Sequence, residues 1–271
     1  MAPKPVDGIS RSNQATGQSR EGIAVMGDFP AGHCEARREP IATYLADRGF
    51  ASSSHLRRFD RLGRTASQLR DGGNVQGAVM GEALHALVLE PDVFANQYLV
   101  LDDKDAAKPE SPDEQGVQRQ SLDAWQWTAL HRARDALLAC KHFPVAEVLT
   151  IGEKELSIYW SDESDAKWKA RPDCFREDIV LDLKTTGDGR PHAFRRTRQR
   201  LDYDVQAAHY IDAVSRLSGG KPGFAFVTVE LTQPYSVRVH ELDGEELGAA
   251  HTRLADLRLR YVAAVKEAQA S

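Results

Sequence analysis

The chain has 271 residues, 41% hydrophobic and 28% charged, a balance that supports a packed core and excludes a fibrous or wholly disordered protein. Its 35 Lys and Arg against 40 Asp and Glu give a formal net charge of −5, so binding to nucleic acid would need a local basic surface. Cys34, Cys140 and Cys174 are far apart and form no CxxC, which argues against a zinc knuckle or a disulfide framework and for a reducing compartment. No apolar run approaches the roughly 18 residues of a membrane span, and the N-terminus lacks the apolar core of a signal peptide. The expectation is a cytoplasmic protein.

Residues 1–40 are rich in Gly, Ser, Pro, Gln and charge, with one brief apolar patch at Ile23-Ala24-Val25-Met26, and read as a mobile arm ahead of one domain over 41–271. Ser52 or Ser53 can cap a short helix carrying Leu56, Phe59 and Leu62. Val75, Val79, Ala83, Leu84, Leu87 and Val88 make a helical stripe that stops at Pro91. Residues 102–120 are polar and contain Pro, predicting a loop, and a helix is predicted from Ser121 to Ala139. After Pro144 the texture changes to strands: 155–160 and 167–173, then 178–186, the most apolar and so the most central. Two helical stretches follow from Pro191 and Tyr203, then strands at 224–231 and 235–242 and a closing helix over 243–268. The fold expected is a single α/β core with a mixed central sheet flanked by helices.

Within the central strand, Asp182-Leu183-Lys184 sets charge inside an apolar run. Burying a carboxylate costs several kcal/mol unless something pairs with it. A bare D-x-K carries little information, since the same spacing recurs at Asp102–Lys104 and Asp165–Lys167 in polar, turn-like sequence. Period-2 alternation puts Asp182 and Lys184 on one face, where a plain salt bridge is one reading. Asp173 ends the preceding strand, and an antiparallel return can bring it beside Asp182. Two carboxylates against one ammonium leave excess negative charge that a hard divalent cation would neutralise. With oxygen ligands and no thiolate cluster, Mg²⁺ is the expected ion. An iron–sulfur cluster needs four cysteines, more than the chain has.

Pro172-Asp173 followed by Asp182-Leu183-Lys184 resembles the P-D…D-x-K signature of the PD-(D/E)XK nuclease superfamily, a restriction-endonuclease-like core. The order GEALHALVLEP (81–91), ELSIYW (155–160), RPD (171–173), DLKTT (182–186) and VQAAHY (205–210), with YLADRGFASSSHLRRF (44–59) before it, is similar to the RecE-type exodeoxyribonuclease VIII family over roughly residues 44–262. The resemblance implies roles. His85 would sit at the metal with Asp173 and Asp182 as direct ligands, and Glu155 near the metal or its water shell. Lys184 would hold the attacking water or stabilise the phosphate in the transition state. Gln206 and Tyr210, four apart on one helix face, would orient Lys184 or the DNA backbone. Read without the resemblance, His85 is a core or surface histidine and Gln206 and Tyr210 an ordinary amphipathic surface.

Two basic rows could track phosphates or be merely solvated faces. Arg57, Arg58, Arg61 and Arg64 share one helical face; His192, Arg196 and Arg200 form another, flanked by Arg195 and Arg198. Trp125, Trp127, Trp160 and Trp168 read as core packing rather than base-stacking platforms. The resemblance implies a Mg²⁺-dependent exonuclease, with Mn²⁺ substituting, that digests linear double-stranded DNA from a 5′ end. It also implies a ring-like homo-oligomer and a single-strand annealing partner. An endonuclease of the same superfamily and a non-catalytic DNA-binding scaffold are the rival expectations.

Overall fold

The computed structural model describes residues 32–62, 75–100, 119–142 and 144–270. Strand β1 (Cys34–Arg37) leads into helices α1 (Ile41–Ala46) and α2 (Ser53–Leu62), the latter burying Leu56 and Phe59. Helix α3 (Val75–Leu89) turns Ala83, Leu84, Leu87 and Val88 inward. It stops at Glu90, whose backbone leaves helical geometry, and Pro91 opens α4 (Pro91–Gln97) at a first-turn position where its missing N–H costs nothing. Strand β2 (Tyr98–Val100) pairs in parallel with β3 (Gln120–Leu122). A reciprocal capping box between Asp123 and Gln126 then starts α5 (Ala124–Leu138). Helix α6 (Val145–Ile151) is followed by four strands in succession: β4 (Glu153–Lys154), β5 (Ser157–Ser161), β6 (Lys167–Ala170) and β7 (Cys174–Phe175). The central strand β8 (Ile179–Thr186) comes next, then α7 (Pro191–Arg200) and α8 (Tyr203–Ser218), which Gly219 ends in the left-handed conformation. Strands β9 (Gly223–Glu230) and β10 (Val237–Glu241) and the long helix α9 (Gly244–Ala270) complete the described chain.

The main sheet runs β10-β9-β8-β7-β4, parallel between β8 and β9 and antiparallel elsewhere, so β8 is the middle strand, as its apolar sequence predicts. Leu181 and Leu183 pack on one face with Leu84, Leu130, Leu137 and Val148 of α3, α5 and α6. Val180 and Phe226 pack on the other with α2, α8 and α9. The architecture is mixed α/β with sheets flanked by helices.

A smaller second sheet accompanies the mixed central one. The segments 155–160 and 167–173 lie outside the main sheet, next to its short strands β4 and β7, and β5 and β6 form a second sheet in the order β1-β5-β6. The departures are local: Glu155 takes a left-handed backbone (φ 47) between β4 and β5, and Pro172, which has no N–H to give a ladder, lies between β6 and β7. The expected arm also reaches into the fold. Cys34–Arg37 pair antiparallel with β5, from Cys34 opposite Trp160 to Arg37 opposite Ser157. Residues 1–31 and most of the predicted 102–120 loop lie outside the described residues. Among the described residues no helix is long and apolar enough to cross a membrane.

Candidate active site

The site forms where β7 peels away from β8. The antiparallel ladder between them stops after Cys174 opposite Leu181. Alternate residues of β8 turn their backbone polar groups toward β7, so Leu183 would be next in the ladder but has no strand to bond. Side chains take the vacant positions: Asp173 Oδ2 accepts the Leu183 N–H at 2.6 Å, and His85 Nε2 meets the Leu183 carbonyl at 3.0 Å. His85 comes from α3, which lies close to β8; a side chain at Gly81, one turn earlier, would meet Thr185 Oγ1 at 3.3 Å. Because Nε2 donates to a carbonyl, the lone pair of the neutral ring is on Nδ1, which faces Asp173 Oδ2 at 3.6 Å.

Glu155 joins them from the other crossing. Its N–H donates to the Asp173 carbonyl at 3.1 Å, tying the two departure points together. The left-handed backbone there costs about 1–2 kcal/mol for a residue with a side chain. Burial and the neighbouring Asp173 carboxylate push the Glu155 carboxyl up to about 7, against the opposing pull of Arg171. His85, Glu155 and Asp173 offer ligand atoms that all lie within 4.8 Å of one another.

Asp182 and Lys184 stand on the face of β8 opposite Leu181 and Leu183, toward α8. Asp182 is fully buried and forms an ion pair with Lys184, while Gln206 Nε2 donates to its Oδ1 at 2.8 Å. Gln206 Nε2 also donates to the Tyr210 hydroxyl at 3.1 Å, so the i, i+4 pair on α8 acts on Asp182 rather than on Lys184 itself. Within the chain Asp182 is thus paired with Lys184 and held by Gln206. Burial still raises its carboxyl to about 6, with Lys184 pulling down and Asp173 pushing up. For Lys184, burial works against the charged form, but Asp182, Asp173 and Tyr203 outweigh it and raise the pKa. The ammonium lies 4.9 Å from the centre of the Tyr203 ring. Lys184 is therefore held protonated, which suits stabilising charge and not abstracting a proton.

The donor set fits a hard divalent cation: two carboxylates and one imidazole lone pair converge, and no thiol joins them. The sequence carries the same conclusion into a known group. Residues 52–271 match the model of the PDDEXK-like domain of unknown function (DUF3799). The chain belongs to that PDDEXK-like family. A crystal structure of a "putative exonuclease" from Eubacterium rectale superposes with a TM-score of 0.58 at 13% identity, covering 85% of this chain and 88% of that one. At that identity the likeness speaks for the fold. No curated protein matches the chain. Fold and family are those of the PD-(D/E)XK nucleases.

The basic rows divide. Arg57 turns inward: it donates to the Leu201 carbonyl at 3.1 Å, and burial lowers its pKa against the raising influence of Tyr210, Tyr203 and Asp182. Arg61 reaches the same carbonyl at 3.2 Å, Arg58 is half-buried, and Arg64 lies outside the described residues. On α7, Arg195, Arg196 and Arg200 are exposed, with Arg195 3.4 Å from Glu246. Arg198, expected among the DNA contacts, is buried between Asp204 and Glu246 and is engaged there instead. Trp160 and Trp168 are buried as expected, whereas Trp125 is 58% exposed. Two further residues shape the site. Tyr203 lies under Lys184, and its place one turn before Gln206 on α8 was a readable signal. Arg171 was the unassigned first residue of RPD.

Proposed function

We propose that this chain is a divalent-metal-dependent DNA exonuclease of the RecE type, degrading linear duplex DNA from 5′ ends in recombination or repair. The observation that carries the reading is the meeting of His85, Glu155 and Asp173 within 4.8 Å beside a Lys184 held protonated. Mg²⁺ is the proposed ion, with Mn²⁺ able to replace it. When bound, such a cation neutralises phosphate charge and activates water. Asp173, Glu155 and the Nδ1 of His85 would hold it, with Asp182 adjacent. The ammonium of Lys184, steadied by Asp182 and the Tyr203 ring, would stabilise charge growing on the phosphate oxygens. Gln206 fixes Asp182. Tyr210, whose pKa burial drives well above the usual phenol value, stays a neutral hydrogen-bonding group. Exposed Arg195, Arg196 and Arg200, with Arg57 nearer the centre, would follow the phosphates. A ring-like homo-oligomer and a single-strand annealing partner complete the proposal.

The test uses one plasmid in two forms. Covalently closed circles should survive with Mg²⁺, since no terminus exists to enter the site. The linearised plasmid should be degraded with Mg²⁺ and spared with EDTA. Cutting of the closed circle would favour an endonuclease, and inertness on both forms with Mg²⁺ and Mn²⁺ would favour a scaffold. Attack confined to 3′ ends would overturn the polarity alone.

A further inference from the structure

The guanidinium of Arg171 is 4% exposed and stands at the crossing between the two sheets. Its Nε donates to Glu155 Oε2 at 2.7 Å. One terminal nitrogen donates to the Glu39 carbonyl at 2.8 Å and to Ser157 Oγ at 3.1 Å, and the other lies 3.6 Å from Glu90 Oε1. Glu39 is itself held, because its Oε1 accepts the Tyr159 hydroxyl at 2.6 Å. The planar fork is therefore fixed from three sides: the end of α3, strand β5, and the segment joining β1 to α1. Its remaining donor points at the one carboxylate that a left-handed backbone pushes into the site.

We infer that Arg171 is the positioning residue of the proposed cation site, holding the Glu155 carboxylate in ligating orientation through a guanidinium anchored to Glu39, Ser157 and Glu90. This rests on the reading of His85, Glu155 and Asp173 as that site. Charge and orientation make opposite forecasts. A cation beside a ligand repels a bound metal ion, so if only its charge mattered, deleting Arg171 would tighten metal binding. If it fixes the ligand, deletion weakens binding, and only while Glu155 is there to be fixed. Lysine cannot replace it, because a point charge does not reproduce three divergent donor directions.

The experiment is Mn²⁺ titration of the full chain, read as loss of the free-ion electron paramagnetic resonance signal. It is run on the parent, Arg171→Gln, Arg171→Lys, Glu155→Gln and the double variant Arg171→Gln/Glu155→Gln. Arg171→Gln should weaken Mn²⁺ binding by about 10- to 100-fold, the range for partners that orient a metal ligand. Adding Arg171→Gln to Glu155→Gln should cost nothing beyond Glu155→Gln alone. Arg171→Lys keeps the buried charge and so guards against a variant that does not fold; it should bind several-fold more weakly than the parent. Parental or tighter affinity in Arg171→Lys, or an equal loss with and without Glu155, would overturn the assignment. A parent that takes up no Mn²⁺ at all would instead remove the cation site and, with it, the role given to Arg171.

Discussion

Asp173 and Asp182 sit beside the same strand, in opposite settings. Asp182 is on the regular part of β8, fully buried, and closed in by Lys184 and Gln206. Asp173 is on the irregular crossing, and it faces an imidazole lone pair and a second carboxylate that Arg171 pairs only in part. One half of the site has a counter-charge within the chain, though burial and Asp173 still push its carboxyl up; the other carries an excess of negative charge that an external cation can relieve. The contrast separates what holds the fold from what awaits a ligand, and variants that remove charge without removing shape can test it.

The largest effects should come from the carboxylates themselves. Asp173→Asn can still accept the Leu183 N–H, so the fold should persist while Mn²⁺ affinity falls more than 100-fold, beyond the roughly 10- to 100-fold typical of outer partners. Its metal-free melting temperature should stay level or rise, because one of two crowded carboxylates is gone. Asp182→Asn should behave oppositely when metal-free, since it strands the Lys184 ammonium. A cost of about 1–3 kcal/mol is expected, below the ~3–5 kcal/mol of a fully enclosed pair because Lys184 keeps 17% exposure. Thermal melts in EDTA decide the matter: equal shifts for the two variants would erase the contrast. Next in size is Lys184→Ala, which should keep Mn²⁺ and DNA affinity and lose turnover by about 10²- to 10³-fold, the scale for one transition-state donor. Unchanged turnover with weakened metal binding would move Lys184 out of the chemistry.

Protons and cation should compete for the incomplete half. Glu155 has a folded-state pKa of about 7, above the ordinary carboxyl value. A folded-state pKa above the unfolded one means the native protein binds more protons in that window. The stability involved is fully present below about pH 4 and lost as pH rises through about 7, at most about 3 kcal/mol from Glu155. A cation favours the ionised carboxylates, so its stabilising effect should grow with pH. Melts in EDTA should fall between about pH 5 and pH 8, and the Mn²⁺-induced rise should be larger at the upper end. An equal or larger Mn²⁺ effect near pH 5 would contradict this.

How much of this was legible follows from periodicity. Asp182, Lys184 and the central place of their strand follow from a period of two in an apolar run, and the Gln206–Tyr210 pair from a spacing of four on one helix. Those patterns are local, and the structure keeps them. The crossing is not local. Nothing in ELSIYW says that Glu155 adopts a positive φ, and the sequence could not show that β7 ends where Leu183 needs a partner. The partnership of His85 with Leu183 depends on how closely α3 approaches, which Gly81 permits but does not announce. Arg198 illustrates the converse failure: it reads as part of a basic helix, yet Glu246, 48 residues later, draws it inward.

That division of α7 supplies the smallest effect. Arg196 and Arg200 are exposed on α7, whereas Arg198 is 7% exposed and spends its charge on Asp204 and Glu246. Each arginine that touches a duplex phosphate displaces a condensed counterion, so the slope of log affinity against log salt should shrink by about 0.9 per contact removed. Arg196→Ala/Arg200→Ala should flatten that slope by up to about 1.8 while changing stability by no more than about 0.5 kcal/mol, as surface substitutions do. Arg198→Ala should leave the slope unchanged and cost about 1–2 kcal/mol, because Asp204 and Glu246 lose their shared partner. Fluorescence anisotropy on a labelled duplex, over a series of salt concentrations with Ca²⁺ or EDTA to prevent cleavage, gives the slopes, and thermal melts give the stabilities. A slope that moves with Arg198 and not with Arg196 and Arg200 would mean that DNA reorganises this helix on binding, and that the exposed row is a solvated face.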